Sequence, residues 1–174
     1  MDIRPLRDND GPAFAQYRRD FLTNDQNNPY SAGIRQRLAG ETDFAATLAR
    51  TLANLTPDAE WRVPQIDYYL FDDAGAIVGV TSCRLGMNPQ LADSGGHIGY
   101  AVAPSARGRG YAKLLLQYAL NLFRRRGEPF VIVSAYSGNA ASRHVIEQAG
   151  GQLHKRVIDV TGAELCIYHI DLAR

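Results

Sequence analysis

His97-Ile98-Gly99-Tyr100-Ala101-Val102-Ala103-Pro104-Ser105-Ala106-Arg107-Gly108-Arg109-Gly110-Tyr111-Ala112 reads as a strand, a proline stop, a turn and the start of a helix. The turn carries two glycines and two arginines. The first backbone N–H groups of a helix have no internal partner and lie at the positive end of its dipole. Gly108 and Gly110 remove the Cβ atoms that would hold a phosphate off the backbone. Arg107 and Arg109 add charge suited to phosphate oxygens. The stretch predicts a pyrophosphate cradle for a cofactor.

Outward from the turn, Ala112, Leu115, Leu116, Ala119, Leu122 and Phe123 form the apolar stripe of a long helix. Arg124-Arg125-Arg126 and Gly127 close it, because cations complement the C-terminal dipole and glycine suits the cap. Phe130-Val131-Ile132-Val133 is a continuous apolar run, the pattern of a strand buried on both faces. Strand, helix and strand make a crossover with two parallel strands. Ser137-Gly138-Asn139 breaks the second strand. A further helix follows, with Ala141 or Ser142, Val145, Ile146 and Ala149 on one face, ended by Gly150-Gly151. Residues 152–160 and 164–172 should pair as a terminal hairpin around Thr161-Gly162.

Before the turn, residues 66–71 and 76–85 are strand-like and joined by Asp72-Asp73-Ala74-Gly75, a good hairpin loop. Gly86 to Gly96 reads as a loop. The N-terminal part predicts a short strand over residues 2–6, a helix over 11–22 and a short helix over 34–38. A third helix, capped by Thr42, carries Phe44, Leu48, Thr51, Leu52 and Leu55 at helical spacing.

The chain has 174 residues, 45% hydrophobic and 21% charged, which suits one full-sized domain. A net charge of +1 supplies no global field for nucleic acid or an anionic membrane, and no apolar run approaches the roughly 18 residues of a membrane span. The start has no signal-peptide layout. Cys83 and Cys166 read as two reduced, buried thiols, so a cytoplasmic protein is expected.

Rival motifs fit poorly. Lys113 occupies the third glycine position of a dinucleotide fingerprint, and no acid closes the next strand near residues 134–136. P-loop spacing, a serine-hydrolase elbow and metal-ligand spacing of Cys and His are all lacking, so no metal is expected. The Arg124–Arg126 cluster has no aromatic platform to make it a nucleic-acid patch.

Arg107-Gly108-Arg109-Gly110-Tyr111-Ala112, led into by Val102-x-Pro104, resembles the pyrophosphate motif of the GNAT superfamily of acyl-CoA-dependent N-acetyltransferases, [Q/R]-x-x-G-x-[G/A]. Asn139 through Gly150 resembles the family's second element, and the likeness covers residues 64–172. The resemblance implies an α/β fold with a mixed, mostly antiparallel sheet, a splayed parallel strand pair and helices on both faces. It implies one N-acetyltransferase domain, with residues 1–63 shaping the acceptor site and 64–172 holding acetyl-CoA. Backbone N–H groups from Arg107 to Ala112 would hold the pyrophosphate. The pantetheine arm would lie in the gap beside Val102, whose N–H would stabilise the oxyanion. Asn139 would bond the arm, with Ser142 and Arg143 nearby.

An amine attacks a thioester only when neutral, yet a lysine-type amine has a pKa of about 10.4. His97 stands where many family members carry Glu. Its imidazole could take the proton near neutral pH, or it could be a hydrogen-bonded structural residue. The family's thiolate-protonating Tyr falls at Ile146 here. Tyr136 is the substitute, against a plainer reading as a rim aromatic; Tyr111 and Tyr168 are lesser candidates.

The implied reaction is transfer of acetyl from acetyl-CoA to a primary amine on a small molecule or peptide, by direct attack. The alternative is a non-catalytic acyl-CoA-binding regulatory module. Asp20, Asp25, Glu41 and Glu60 could greet a cationic acceptor or be plain solvated charges. A homodimer through a sheet edge or the terminal hairpin stays open.

Overall fold

The computed structural model describes residues 1–58 and 62–173. In chain order the elements are β1 (Asp2–Arg4), α1 (Gly11–Asn24), α2 (Ala32–Gly40), α3 (Phe44–Ala53), β2 (Gln65–Phe71), β3 (Ile77–Arg84) and α4 (Pro89–Ala92). They continue with β4 (Ile98–Val102), α5 (Tyr111–Arg125), β5 (Phe130–Tyr136), α6 (Ala140–Gln148), β6 (Gln152–Ile158) and β7 (Glu164–Asp171). The strands form one sheet in the order β1-β2-β3-β4-β5-β7-β6. Only β4 and β5 run parallel, as their crossover through α5 requires.

Alternation along the strands sends side chains to two layers. Tyr69 packs its ring edge-on against Phe14 and Tyr17 of α1 at 6.2 and 6.1 Å. Its neighbour Tyr68 faces the other way, onto Tyr118 of α5 at 5.0 Å. Helices α1 and α2 therefore bury Phe14, Tyr17, Phe21 and Leu38 on one face. On the other face, α5 and α6 bury Leu116, Ala119, Leu120, Phe123 and Ile146 among Ile98, Val131, Val133 and Tyr168. Burying a side chain of this size contributes about 1.5–3 kcal/mol, so these two layers dominate the stability of the fold.

The structure moves several expected details. The cap of α3 is Asp43, whose carboxylate accepts the Ala45 N–H at 2.9 Å, rather than Thr42. Loop 86–96 contains α4, capped by Asn88. On α5, Leu120 is buried and Leu122 only partly, because the face wraps around the sheet. The terminal hairpin forms, but β7 lies between β5 and β6. Burial explains the order: β7 buries Leu165, Cys166, Ile167, Tyr168 and Ile170, while residues 152–156 of β6 are exposed.

Candidate active site

The turn between β4 and α5 is built by its two glycines. Gly108 has φ +76° and Gly110 has φ +81°, both in the left-handed region that side chains with a Cβ rarely adopt. Gly110 is the N-cap of α5, and the first helical bond is Leu114 N–H to the Gly110 carbonyl at 3.3 Å. The amides of Tyr111, Ala112 and Lys113 precede that bond, so the helix gives them no acceptor. A Cβ built at Gly108 or Gly110 meets nothing within 4 Å. The cradle is open and fits a phosphate group.

Arg107 does not point at this cradle. Its two Nη atoms donate to the Asp25 carboxylate at 2.7 and 2.6 Å, and its Nε donates to the Val102 carbonyl at 3.3 Å. The expected phosphate charge at this position is thus tied to the end of α1. Arg109 is exposed and lines a cavity of about 520 Å³ between α1 and the β2–β3 turn.

The second feature is a gap in the sheet. Strands β4 and β5 share a single register pair, Ile98 with Val133. At its closed end, His97 N–H donates to the Ile132 carbonyl at 2.7 Å, and the Ile132 N–H donates to His97 Nδ1 at 2.9 Å. Gly96, at φ +62°, completes this apex; a Cβ there would press into the Ile132 carbonyl. Beyond Ile98 the strands part. Ala103 N–H donates to Val78 of β3 at 2.9 Å. Alternation of amides along β4 turns the Val102 N–H the other way, towards β5 and the gap.

His97 is buried, with its ring edge against Phe123 at 5.5 Å. Burial pushes its pKa below the ordinary value, although Glu128 nearby opposes this. A neutral imidazole that accepts at Nδ1 carries its proton on Nε2. To act as a base, His97 must give up the Ile132 bond.

Two tyrosines flank the gap from opposite faces. Tyr100 reaches towards α6, where its hydroxyl lies 2.9 Å from Ser142 Oγ and 3.2 Å from the Ser142 carbonyl. Burial raises its pKa, so the phenol keeps its proton at neutral pH. Composition and spacing gave no sign of this residue, because a strand tyrosine reads as core. Tyr136 lies on the other face, its ring 6.0 Å from that of Tyr30, and its hydroxyl interacts with Asp159 of the β6–β7 turn. Tyr168 is buried and donates to Glu147 at 2.8 Å, and Ile146 is fully buried in the layer beneath α6.

Asn139 caps α6, its Oδ1 accepting the Ser142 N–H at 3.1 Å. Arg143 spans Tyr168 Oη and the Ser137 carbonyl at 3.0 and 3.1 Å. The acids expected to greet a cation are engaged: Asp20 with Ser105, Asp25 with Arg107, and Glu41 with Arg50. Glu60 lies outside the described residues. Burial pushes the Cys83 thiol up to about 12, the reverse of an activated nucleophile. Among the described residues no group of three or more His, Cys, Asp or Glu side chains is placed to hold a metal ion. No helix among them is long and apolar enough to cross a membrane.

The open glycine turn at the start of α5 thus lies beside a parallel pair that shares one register pair. The acetyltransferase (GNAT) family profile matches residues 34–151, and the chain belongs to that family. The ribosomal L7/L12 alpha-N-protein acetyltransferase RimL, in complex with coenzyme A, is similar at 20% identity and TM-score 0.71, covering 99% of this chain and 94% of that one. An N-acetyltransferase from Staphylococcus aureus Mu50 is similar at 17% identity and TM-score 0.63, covering 98% of each chain. A chimera of spermidine N-acetyltransferase SpeG from Vibrio cholerae and hSSAT is similar at 13% identity and TM-score 0.65, covering 99% and 98%. No curated protein matches the chain.

Proposed function

We propose that this protein transfers an acetyl group from acetyl-CoA to a primary amine by direct attack within a ternary complex. The observation that carries the reading is the opening of the β4–β5 ladder beyond Ile98, next to the open cradle formed by Gly108 and Gly110. The cradle amides from Gly108 to Ala112 hold the pyrophosphate, with Arg107 fixing the turn through Asp25. Val102 N–H, facing the gap, bonds the thioester oxygen as negative charge develops on it. Asn139 and Ser142 line the α6 side of the arm.

Acetyl-CoA supplies the acetyl thioester. The neutral amine forms the C–N bond as the C–S bond breaks; the attacking nitrogen loses one proton to water and the thiolate gains one from a tyrosine hydroxyl that solvent reprotonates, giving an N-acetyl amine and CoA. His97 pins the closed end of the gap in this account, and water on the α1–α3 face takes the amine proton. Tyr100 and Tyr136 are the hydroxyls available to the thiolate. Tyr100 is the stronger candidate, since α6 holds its hydroxyl while Asp159 draws that of Tyr136 away.

The test is CoA thiol release with an amine panel, with the N-acetyl product identified by mass. Acetyl-CoA binding without release of CoA for any amine favours a second reading, a regulatory acyl-CoA-binding module. The burial of Ile146 at the family's Tyr position is the observation that supports that reading.

A further inference from the structure

Residues 25–31 join α1 to α2 on the α1–α3 face of the sheet. One end of this segment is fastened to the β4 side of the gap. Arg107, which holds the Asp25 carboxylate and the Val102 carbonyl, also donates to Ser31 Oγ at 3.3 Å. The tip of the segment reaches the β5 side. Tyr30 lays its ring 6.0 Å from that of Tyr136, and its hydroxyl comes so close to Gly138 that a Cβ there would collide with it. Strands β4 and β5 run parallel with Ile98 opposite Val133, so Val102 and Ser137, each four residues further on, stand at one level. The segment therefore spans the gap at its open end.

The other face is bridged as well. Tyr100 leaves β4, and its hydroxyl meets Ser142 of α6, the helix that follows β5. A chain lying in the gap beside Val102 thus runs between Tyr100 and the Tyr30 segment. The fastenings differ in strength. Tyr100 Oη has two partners on Ser142, whereas Tyr30 is 42% exposed and rests on a ring contact. The Arg107–Asp25 end is charge-assisted and two-point, a stronger bond than a ring contact. Opening therefore starts at Tyr30. Asn28 accepts the Tyr30 N–H at 3.1 Å, and Arg35 donates to the Asp25 and Asn28 carbonyls at 2.7 and 2.6 Å, so the segment moves as one body.

Resting on the acetyltransfer reading above, we propose that residues 25–31 are a cover over the cofactor arm, anchored at Asp25 and latched by Tyr30 on Gly138 and Tyr136. The cover opens at Tyr30 towards the acceptor side. Glycine at 138 lets the latch seat. A cofactor that favours the closed cover is held more tightly by it, and by the same factor it keeps the cover closed.

Chymotrypsin cleaves after Tyr30, so its rate at that bond reports the open population. Gly138 has no positive φ, so Gly138→Ala keeps the backbone and displaces only the Tyr30 ring. Without ligand, Gly138→Ala is expected to be cut after Tyr30 about tenfold faster than wild type. An equal rate overturns the latch. Saturating CoA is expected to slow the same cut in wild type about tenfold; no protection overturns the cover. Release of CoA, followed by rapid mixing, is expected to be about tenfold faster in Gly138→Ala and in Tyr30→Ala, and no faster in the double variant than in Tyr30→Ala. Unchanged release overturns the proposal. So do effects that multiply in the double variant, because Gly138 would then act through its neighbour Asn139. If neither CoA nor acetyl-CoA binds folded wild type, the acetyltransfer reading fails, and the ligand-free chymotrypsin comparison still decides the latch.

Discussion

Arg107 grips the Asp25 carboxylate with both Nη atoms, so the glycine turn before α5 is fastened to the residue that ends α1. Asp25 is buried, which pushes its pKa up; Arg107, Ser31 and Asn28 outweigh this and hold it below the ordinary carboxylate value. A depressed folded pKa contributes stability above the unfolded value of about 3.9, lost as pH falls through the folded one. Asp25→Asn and Arg107→Lys are each expected to lower stability by about 1–3 kcal/mol, since each leaves a buried partner poorly matched. Their effects should not add. Both variants should bind acetyl-CoA less tightly. Unchanged or tighter binding by Asp25→Asn would show that Arg107 serves the phosphates directly.

His97 is expected to matter for shape and not for proton transfer. His97→Asn retains an acceptor near the Ile132 N–H and should keep kcat within about threefold, whereas loss of a general base costs about 100-fold or more. His97→Ala leaves that buried N–H unmet and should cost about 1–3 kcal/mol in denaturant unfolding. The folded pKa of His97 is depressed by burial, so the unfolded chain binds its proton first. Wild-type stability should fall as pH drops below about 6.5, and His97→Asn should flatten that slope.

The two tyrosines separate by kinetics. Tyr100→Phe should lower kcat about 100-fold while acetyl-CoA binding is retained, and Tyr136→Phe should change kcat less than threefold. The reverse order would place the proton donor on the α1–α3 face.

Asn139 has two roles that substitution can divide. Asn139→Ala removes the cap and should cost about 1 kcal/mol by thermal unfolding. Asn139→Asp keeps a cap oxygen at the positive helix end and should restore stability, yet still weaken acetyl-CoA binding if the amide nitrogen bonds the arm.

Much of this site was legible in the chain. The glycine turn, the α5 stripe and the apolar run of β5 each follow from local rules, and together they placed a glycine turn and a helix start beside a parallel strand pair. The position of β7 was legible in principle, since Leu165 to Ile170 reads as interior and residues 152–156 as an edge. The partners of the charged groups were not. Arg107 and Asp25 are 82 residues apart, and nothing in either neighbourhood announces the other. The same holds for Tyr30 and Gly138, which meet only when residues 25–31 fold over the end of β5. His97 read either as a base or as a hydrogen-bonded structural residue; its bond to the Ile132 N–H is a fact of tertiary structure.

On the function proposed above, the turn from Gly108 to Ala112 cradles acetyl-CoA. The most direct measurement is a titration of folded wild type and Gly110→Glu with acetyl-CoA, with CoA and NADH as comparisons and circular dichroism verifying the fold. A side chain at φ +81° costs about 1–2 kcal/mol, and the carboxylate repels phosphate at the cradle. Saturable binding of acetyl-CoA and CoA but not NADH by wild type, lost in folded Gly110→Glu, is the predicted result. No binding by folded wild type, or equal binding by the variant, would contradict the account.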